Sequence, residues 1–256
     1  MYGKYRMLRR LILSTTTAAL MSTTAAQAND FGDMSQAERA AFHEAIREYL
    51  LENPEVLMEA IAVLEAREAE AAEAAALTMV SDNADALFKD EHSFIGGNTD
   101  GDITVVEFID YRCSFCRRAH PEVSELVSSD GNIRMLTKEF PILGAESVEA
   151  SRFAISTLQN IGPEAYVAVN EALITRRGDF TRASLERLAT SLDLDGEAIL
   201  AGMDAPEVDD VISKNRALAQ ALQISGTPTF VVGEQMVRGY MPIDGMRQIV
   251  SEERGG

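Results

Sequence analysis

Cys113 and Cys116 are the only cysteines in the 256-residue chain, and they follow almost directly on the run Ile103-Thr104-Val105-Val106-Glu107-Phe108-Ile109. β-Branched and aromatic residues at this density specify a strand buried on at least one face, and the polar, periodic segment that begins near Cys113 specifies a helix leaving its end. The pair is thereby placed at a strand-to-helix junction. Unpaired backbone N–H groups at a helix start stabilise negative charge, and the thiolate is the form of cysteine that attacks a disulfide. Cys113, in the first turn, is the expected nucleophile and is read as solvent-accessible. Cys116 lies one turn further in, more shielded, where it can bond back to Cys113 or resolve a mixed disulfide.

The chain begins with Lys4, Arg6, Arg9 and Arg10, then an apolar run over 11–21, then Ala26-Gln27-Ala28. This is the pattern of a secretory signal peptide over residues 1–28, cleaved after Ala28. The apolar run is shorter than the roughly 20 residues that a membrane span needs. Arg9 and Arg10 leave a twin-arginine export route as a lesser alternative. Cleavage removes four positive charges and no acidic ones, taking the formal charge from −18 to −22. Nucleic acid is therefore not an expected partner. About 228 residues remain, enough for one domain and an appendage. An oxidising compartment would allow the two cysteines to form a structural disulfide. A bridge across two intervening residues restricts the unfolded chain little, however, so the pair is read as catalytic.

Residues 29–80 read as a helical arm. Ser35 and Glu38 form a capping box before Phe42, Ile46, Tyr49 and Leu50 at helical spacing. Asn53-Pro54 interrupts, and Val56, Leu57, Ala60, Ile61 and Leu64 make the apolar stripe of a second helix. Residues 67–76 are almost all alanine, glutamate and arginine, strongly helix-forming with little to bury. The stripe must pack on something: the same arm of another subunit, or its own domain. The alanine-glutamate stretch looks like a solvated rod that holds the stripe away, which favours a homo-oligomer through these helices.

The segment 81–145 opens with the turn signals Asp82-Asn83, Gly96-Gly97-Asn98 and Asp100-Gly101, with a short strand at 93–95. After the cysteines the helix meets Pro121, where a kink is expected. Asp130-Gly131-Asn132 then turns the chain into a strand over 133–140, so strand, helix and strand make a parallel βαβ unit. Residues 146–222 read as helical, broken at Gly162-Pro163, Arg177-Gly178-Asp179, Asp195-Gly196 and Pro206. In 223–256 the strands return as a hairpin turning at Gly233-Glu234, followed by an amphipathic helix over 243–253.

Taken together, Val106-Glu107-Phe108, Cys113-Ser114-Phe115-Cys116, Pro121 five residues on, and Gly226-Thr227-Pro228-Thr229-Phe230 entering the hairpin resemble the DsbA-like branch of the thioredoxin superfamily. The resemblance covers about residues 93–253. It implies an α/β thioredoxin fold interrupted by an inserted helical domain, here 146–222, between a first part at 81–145 and a second part at 223–256. The arm, with Leu50-Leu51-Glu52-Asn53-Pro54-Glu55-Val56, resembles the N-terminal segment of ScsC-type (suppressor of copper sensitivity) proteins.

What the resemblance implies is a periplasmic thiol–disulfide oxidoreductase acting on exported proteins that carry thiols or disulfides, with a membrane redox partner that recycles Cys113 and Cys116. It implies a cis bond at Thr227-Pro228 beside Cys113, where Thr227 and Pro228 would meet an extended substrate. It also assigns Glu107 as the acid beneath the active site. Strand alternation puts Glu107 on the face of Ile103, Val105 and Ile109, so a desolvated carboxyl there would take the Cys116 proton. Ser114-Phe115 departs from the proline-histidine pair of strongly oxidising members. The thiolate is left with the helix terminus and the neighbouring Arg112, Arg117 and Arg118, and a potential between the extremes of roughly −270 and −120 mV is expected. The arm inclines the reading towards an isomerase, which profits from several sites facing one cleft, over an oxidase.

A second function class uses the same thiols as soft ligands for Cu(I) in copper tolerance. His120, four residues after Cys116, is more naturally a solvated surface residue, and His43 and His92 are isolated. No dedicated metal site is assigned. No organic cofactor is expected, because the thiols carry the electrons, and no phosphate-binding loop or serine triad stands out.

Overall fold

The computed structural model describes residues 34–255, so the expected signal peptide lies outside the described residues. The chain divides into two units, Met1–Ala62 and Val63–Gly256.

The first unit holds α1 (Gln36–Glu52) and the start of α2 (Glu55–Asp82). Ser35 begins α1 with the reciprocal pair that its sequence predicts. Its Oγ accepts from the Glu38 N–H at 3.3 Å, and its own N–H donates to Glu38 Oε2 at 2.9 Å, satisfying two of the orphan donors of a helix start. The arm's Ile46, Tyr49, Leu57 and Ile61 are exposed.

The second unit is built on five strands: β1 (Phe94–Gly97), β2 (Ile103–Ile109), β3 (Ile133–Glu139), β4 (Thr229–Val232) and β5 (Gln235–Arg238). Their order is β1-β3-β2-β4-β5. β2 and β3 are parallel, with Glu107 opposite Thr137, and the other pairs are antiparallel. The helix α4 (Ser114–Asp130) makes the crossover between the parallel strands. It ends at Gly131 in the left-handed conformation, φ 74°, a geometry that costs glycine nothing. The helix runs on through Pro121. Its buried face of Cys116, Ala119, Val123 and Leu126 repeats at the three- and four-residue spacing that holds it on the sheet.

Central strand β2 is buried on both sides, as its unbroken apolar run requires. Val105, Phe230 and Val232 pack under α4 and α10 (Ile243–Glu253). Val106, Phe108 and Val231 face the other way, onto Val80, Leu87 and α9 (Pro206–Ala221). One element was not foreseen: α3 (Ala84–Phe88) sits in the expected turn region, and its Leu87 is fully buried. Between β3 and β4 come α5 (Ala145–Asn160), α6 (Pro163–Thr175), α7 (Arg182–Ser191), α8 (Gly196–Gly202) and α9. This is a thioredoxin fold carrying a helical insertion. The insertion has its own core of Phe153, Val169, Leu173, Leu185 and Ile199, continuous with Tyr111, Cys113 and Cys116. The thiols therefore sit on the seam between sheet and insertion.

Candidate functional site: a thiol pair over a buried carboxyl

Cys113 is the N-cap of α4, extended at φ −72° and ψ 121°. Its N–H donates to the Asp110 carbonyl at 3.0 Å, and its carbonyl accepts from the Arg117 N–H at 3.1 Å. The Thr227-Pro228 peptide is cis, and it brings the Thr227 carbonyl within 3.1 Å of Cys113 Sγ, which donates to it in the protonated form. The hairpin entry and the cysteine motif, 114 residues apart, are thus in contact. Against the expectation of an open nucleophile, Cys113 is only 7% exposed, because the Thr227 carbonyl lies against its sulfur. Phe115 stands out at 55% exposed beside it.

The two thiols are driven apart electrostatically. The bond from the Cys116 thiol pulls the Cys113 pKa down to about 5, against opposition from burial. The Thr227 side chain and the N–H groups of Cys116 and Phe115 add to the lowering. Burial pushes Cys116 far the other way, reinforced by its bond to Cys113 and by the Glu107 charge. One sulfur is a thiolate at neutral pH and the other stays a thiol.

The arginines expected to support the thiolate are engaged elsewhere. Arg112 pairs with Glu146. Arg117 donates to the Tyr111 carbonyl at 2.9 and 3.2 Å. Arg118 lies 4.1 Å from the ring centre of Tyr240. The helix terminus and the partner thiol carry the effect instead. His120 faces Glu171 of α6, with Nε2 2.5 Å from Oε2.

Glu107 lies where strand alternation places it, on the α4 side of the sheet and 4% exposed. Burial raises its pKa to about 8, with smaller pushes from Glu139 and Cys113. Among the described residues no protein group hydrogen-bonds its Oε1.

Two further carboxylates shape the site and were not singled out from the sequence. Asp110, fully buried, accepts from the N–H groups of Arg112, Ile142 and Leu143 at 2.8 to 3.0 Å and from the Ser147 hydroxyl at 2.8 Å. It ties the cysteine turn to the loop after β3 and to α5. Glu139 accepts from Tyr111 at 2.7 Å, Ser151 at 2.7 Å and Tyr166 at 2.8 Å. Burial still lifts its pKa to about 7, because three hydroxyls only partly replace water. A visible signal existed for Asp110: an acidic residue directly after a largely apolar strand needs partners.

Comparison with known proteins gives a consistent picture. Residues 89–252 match the family described as Thioredoxin, and residues 38–71 match the copper resistance protein ScsC N-terminal domain. A thioredoxin-like oxidoreductase from Silicibacter pomeroyi DSS-3 is 40% identical with a TM-score of 0.64, over 68% of this chain and 99% of that one. Proteus mirabilis ScsC, in a transitional conformation, is 26% identical with a TM-score of 0.63, over 87% of this chain and 97% of that one. The thiol:disulfide interchange protein DsbA of Bordetella parapertussis is 26% identical over 141 residues, 53% of this chain and 66% of that protein. Similarity also extends to the Na(+)/H(+) antiporter NhaA 1 of Salinispora arenicola, 26% identical over 167 residues. There the chain spans only 25% of the relative's length.

Proposed function

Because the chain belongs to the thioredoxin family, matched over residues 89–252, we propose that it exchanges disulfides with exported proteins through Cys113 and Cys116. The observation that carries this reading is the position of the Cys113 sulfur, at a helix N-cap and in contact with the cis Thr227-Pro228 segment.

In the reducing direction the Cys113 thiolate attacks one sulfur of a client disulfide. A Cys113–client bond forms, the client S–S bond breaks, and the departing client sulfur takes a proton. Cys116 then loses its proton to ionised Glu107 and attacks Cys113 Sγ. The Cys113–Cys116 bond forms, the Cys113–client bond breaks, and the second client sulfur leaves as a thiolate that takes a proton from solvent, so the enzyme is oxidised and the client holds two thiols. In the oxidising direction the same steps run backwards, and neutral Glu107 protonates the departing Cys116 sulfur. A carboxyl with a pKa of about 8 is mostly protonated at pH 7 and ready for that reverse step, while its ionised fraction serves the forward one. Thr227 and Pro228 hold the client as an extended segment alongside the sulfur.

Within this activity isomerase is favoured over oxidase. The support is the arm: its exposed apolar residues and its match to the ScsC N-terminal domain suit self-association that sets several thiol pairs around one client. The working compartment is the periplasm, reached through the signal peptide, with a membrane redox partner resetting the thiols. The match over residues 38–71 to a copper resistance protein also motivates a second reading, copper tolerance, in which the two reduced thiols bind Cu(I).

Trapping with Cys116→Ser decides whether exchange occurs at all. Client adducts should appear on a non-reducing gel and vanish with reductant, and their absence refutes exchange. Refolding scrambled ribonuclease with and without residues 29–80 tests the arm, and equal rates reject its role. Thiol trapping in cells separates a resting oxidised oxidase from a resting reduced isomerase. Stoichiometric copper uptake without any exchange activity would establish the second reading.

A further inference from the structure

Behind the thiols, between α4, α6 and the sheet face made by β1, β3 and β2, lies a cleft of about 550 Å³. Its floor is buried, formed by Met135, Thr137, Tyr166 and Glu107. Its mouth is open, with Ser124, Ser128, Val167 and Glu171 exposed. The volume falls within the roughly 300–1,000 Å³ of small-molecule sites, which are mostly apolar with a few convergent polar groups.

Among the polar groups of the cleft Glu107 stands apart. It is 4% exposed and lines the cleft, and its Oε1 is the one buried side-chain oxygen or nitrogen among the described residues that no protein group bonds. Folded proteins satisfy nearly all such atoms, so an open carboxyl oxygen on the floor of a cleft points to a ligand that supplies the missing bond. The charge of that ligand follows from the walls. Among the described residues no lysine or arginine lines the cleft, and His120, the one basic side chain there, is held by Glu171. An anion would meet two carboxyl groups and no free cation. Phe94, Val123, Val127 and Met135 give the cleft its apolar wall, and Asn98, Ser124, Ser128, Thr137 and Asn170 add neutral polar groups, so the lining suits an uncharged ligand.

We propose that this cleft binds a neutral, largely aromatic or aliphatic small molecule bearing one hydroxyl or N–H group, which hydrogen-bonds Glu107 on the floor while the apolar body packs against α4 and β3. The occupant engages the carboxyl through which Cys116 exchanges its proton, so it also slows disulfide exchange. That consequence rests on the proposed function; the binding itself does not.

The test uses the oxidised mature protein at pH 6.5 and the neutral dye N-phenyl-1-naphthylamine, whose emission rises in apolar surroundings and which the tryptophan-free chain does not obscure. Saturable binding of one dye per chain is expected. Val123→Phe, which fills the cleft, should weaken it at least tenfold. Ser124→Phe, at the exposed mouth, should do so without threatening the core, so a poorly folded Val123→Phe protein does not leave the question open. 2-Naphthol should displace the dye at about fivefold lower concentration than 2-methoxynaphthalene, the value of one hydrogen bond. Glu107→Leu should erase that preference while retaining dye binding. The proposal is overturned by no saturable binding, by binding indifferent to Ser124→Phe, or by equal displacement by the two naphthalenes. Each of these outcomes leaves the trapping experiment with Cys116→Ser untouched, so failure of the site and failure of the exchange reading are read separately.

Discussion

Replacing Glu107 by glutamine tests the electrostatics beneath the thiols through protein stability. The carboxyl has an ordinary pKa of 4.5 and reaches about 8 in the fold. A carboxyl raised by folding binds its proton more tightly in the native state. Its contribution is therefore fully present below pH 4.5, declines as pH rises, and levels off above about 8. Each pH unit inside that window is worth about 1.4 kcal/mol. Between pH 5.5 and 7.5, allowing for curvature at both ends, the wild type should lose about 2.5 kcal/mol relative to Glu107→Gln. Any fixed cost of burying the amide is the same at both pH values and cancels. Urea unfolding of both proteins at several pH values measures the difference directly. Stability curves that run parallel from pH 5.5 to 7.5 would refute the claim that Glu107 is neutral in the folded protein at pH 7.

Three further outcomes follow from the geometry. Thiolate absorbance of Cys113 should titrate near pH 5; Cys116→Ala, which removes the largest lowering influence, should move the midpoint upwards, and Cys116→Ser, which keeps a donor, should move it less. Equal midpoints in the two variants would contradict the assignment. Asp110→Ala leaves three N–H groups and a hydroxyl without their acceptor and should cost about 3 kcal/mol in urea unfolding; a loss below about 1 kcal/mol would show that water replaces the carboxylate. Asp90→Ala removes the charged partner of Lys138, which is fully buried and which burial holds to a pKa of about 7, and should cost about 2 to 3 kcal/mol. A double variant with Lys138→Met should recover most of that loss, and failure to recover would mean that Asp90 acts through its bonds to Ser93.

Much of the fold was legible because its signals are local. The apolar run at Ile103–Ile109, the turn at Asp130-Gly131-Asn132 and the hairpin pivot at Gly233-Glu234 each lie within a few residues of the structure they dictate. α3 escaped because a five-residue helix shows too little periodicity to stand out from turn signals. The site was legible to the extent that one motif holds it. Cys113, Cys116 and the face of Glu107 follow from spacing and alternation. The supports do not. Glu139 gathers hydroxyls from Tyr111, Ser151 and Tyr166, 12 to 28 positions away, and Lys138 meets Asp90 across 48. Sequence could announce that a charged residue buried in a strand needs partners but not which ones it would find. The three arginines near Cys113 show the converse, since closeness along the chain suggested support for the thiolate and the fold gave each arginine a nearer partner.

The triple attachment of Glu139 has a bearing on the stiffness of the proposed exchange site. Its carboxylate joins the end of β3 to the turn before Cys113, to α5 and to α6, each through one hydroxyl. Swinging the helices away from the sheet would strip that buried group of its three donors, at a cost of about 1 kcal/mol or more for each bond lost. The ground beneath the sulfurs is accordingly an anvil, and under the proposed exchange reaction the visiting polypeptide would bend to fit it.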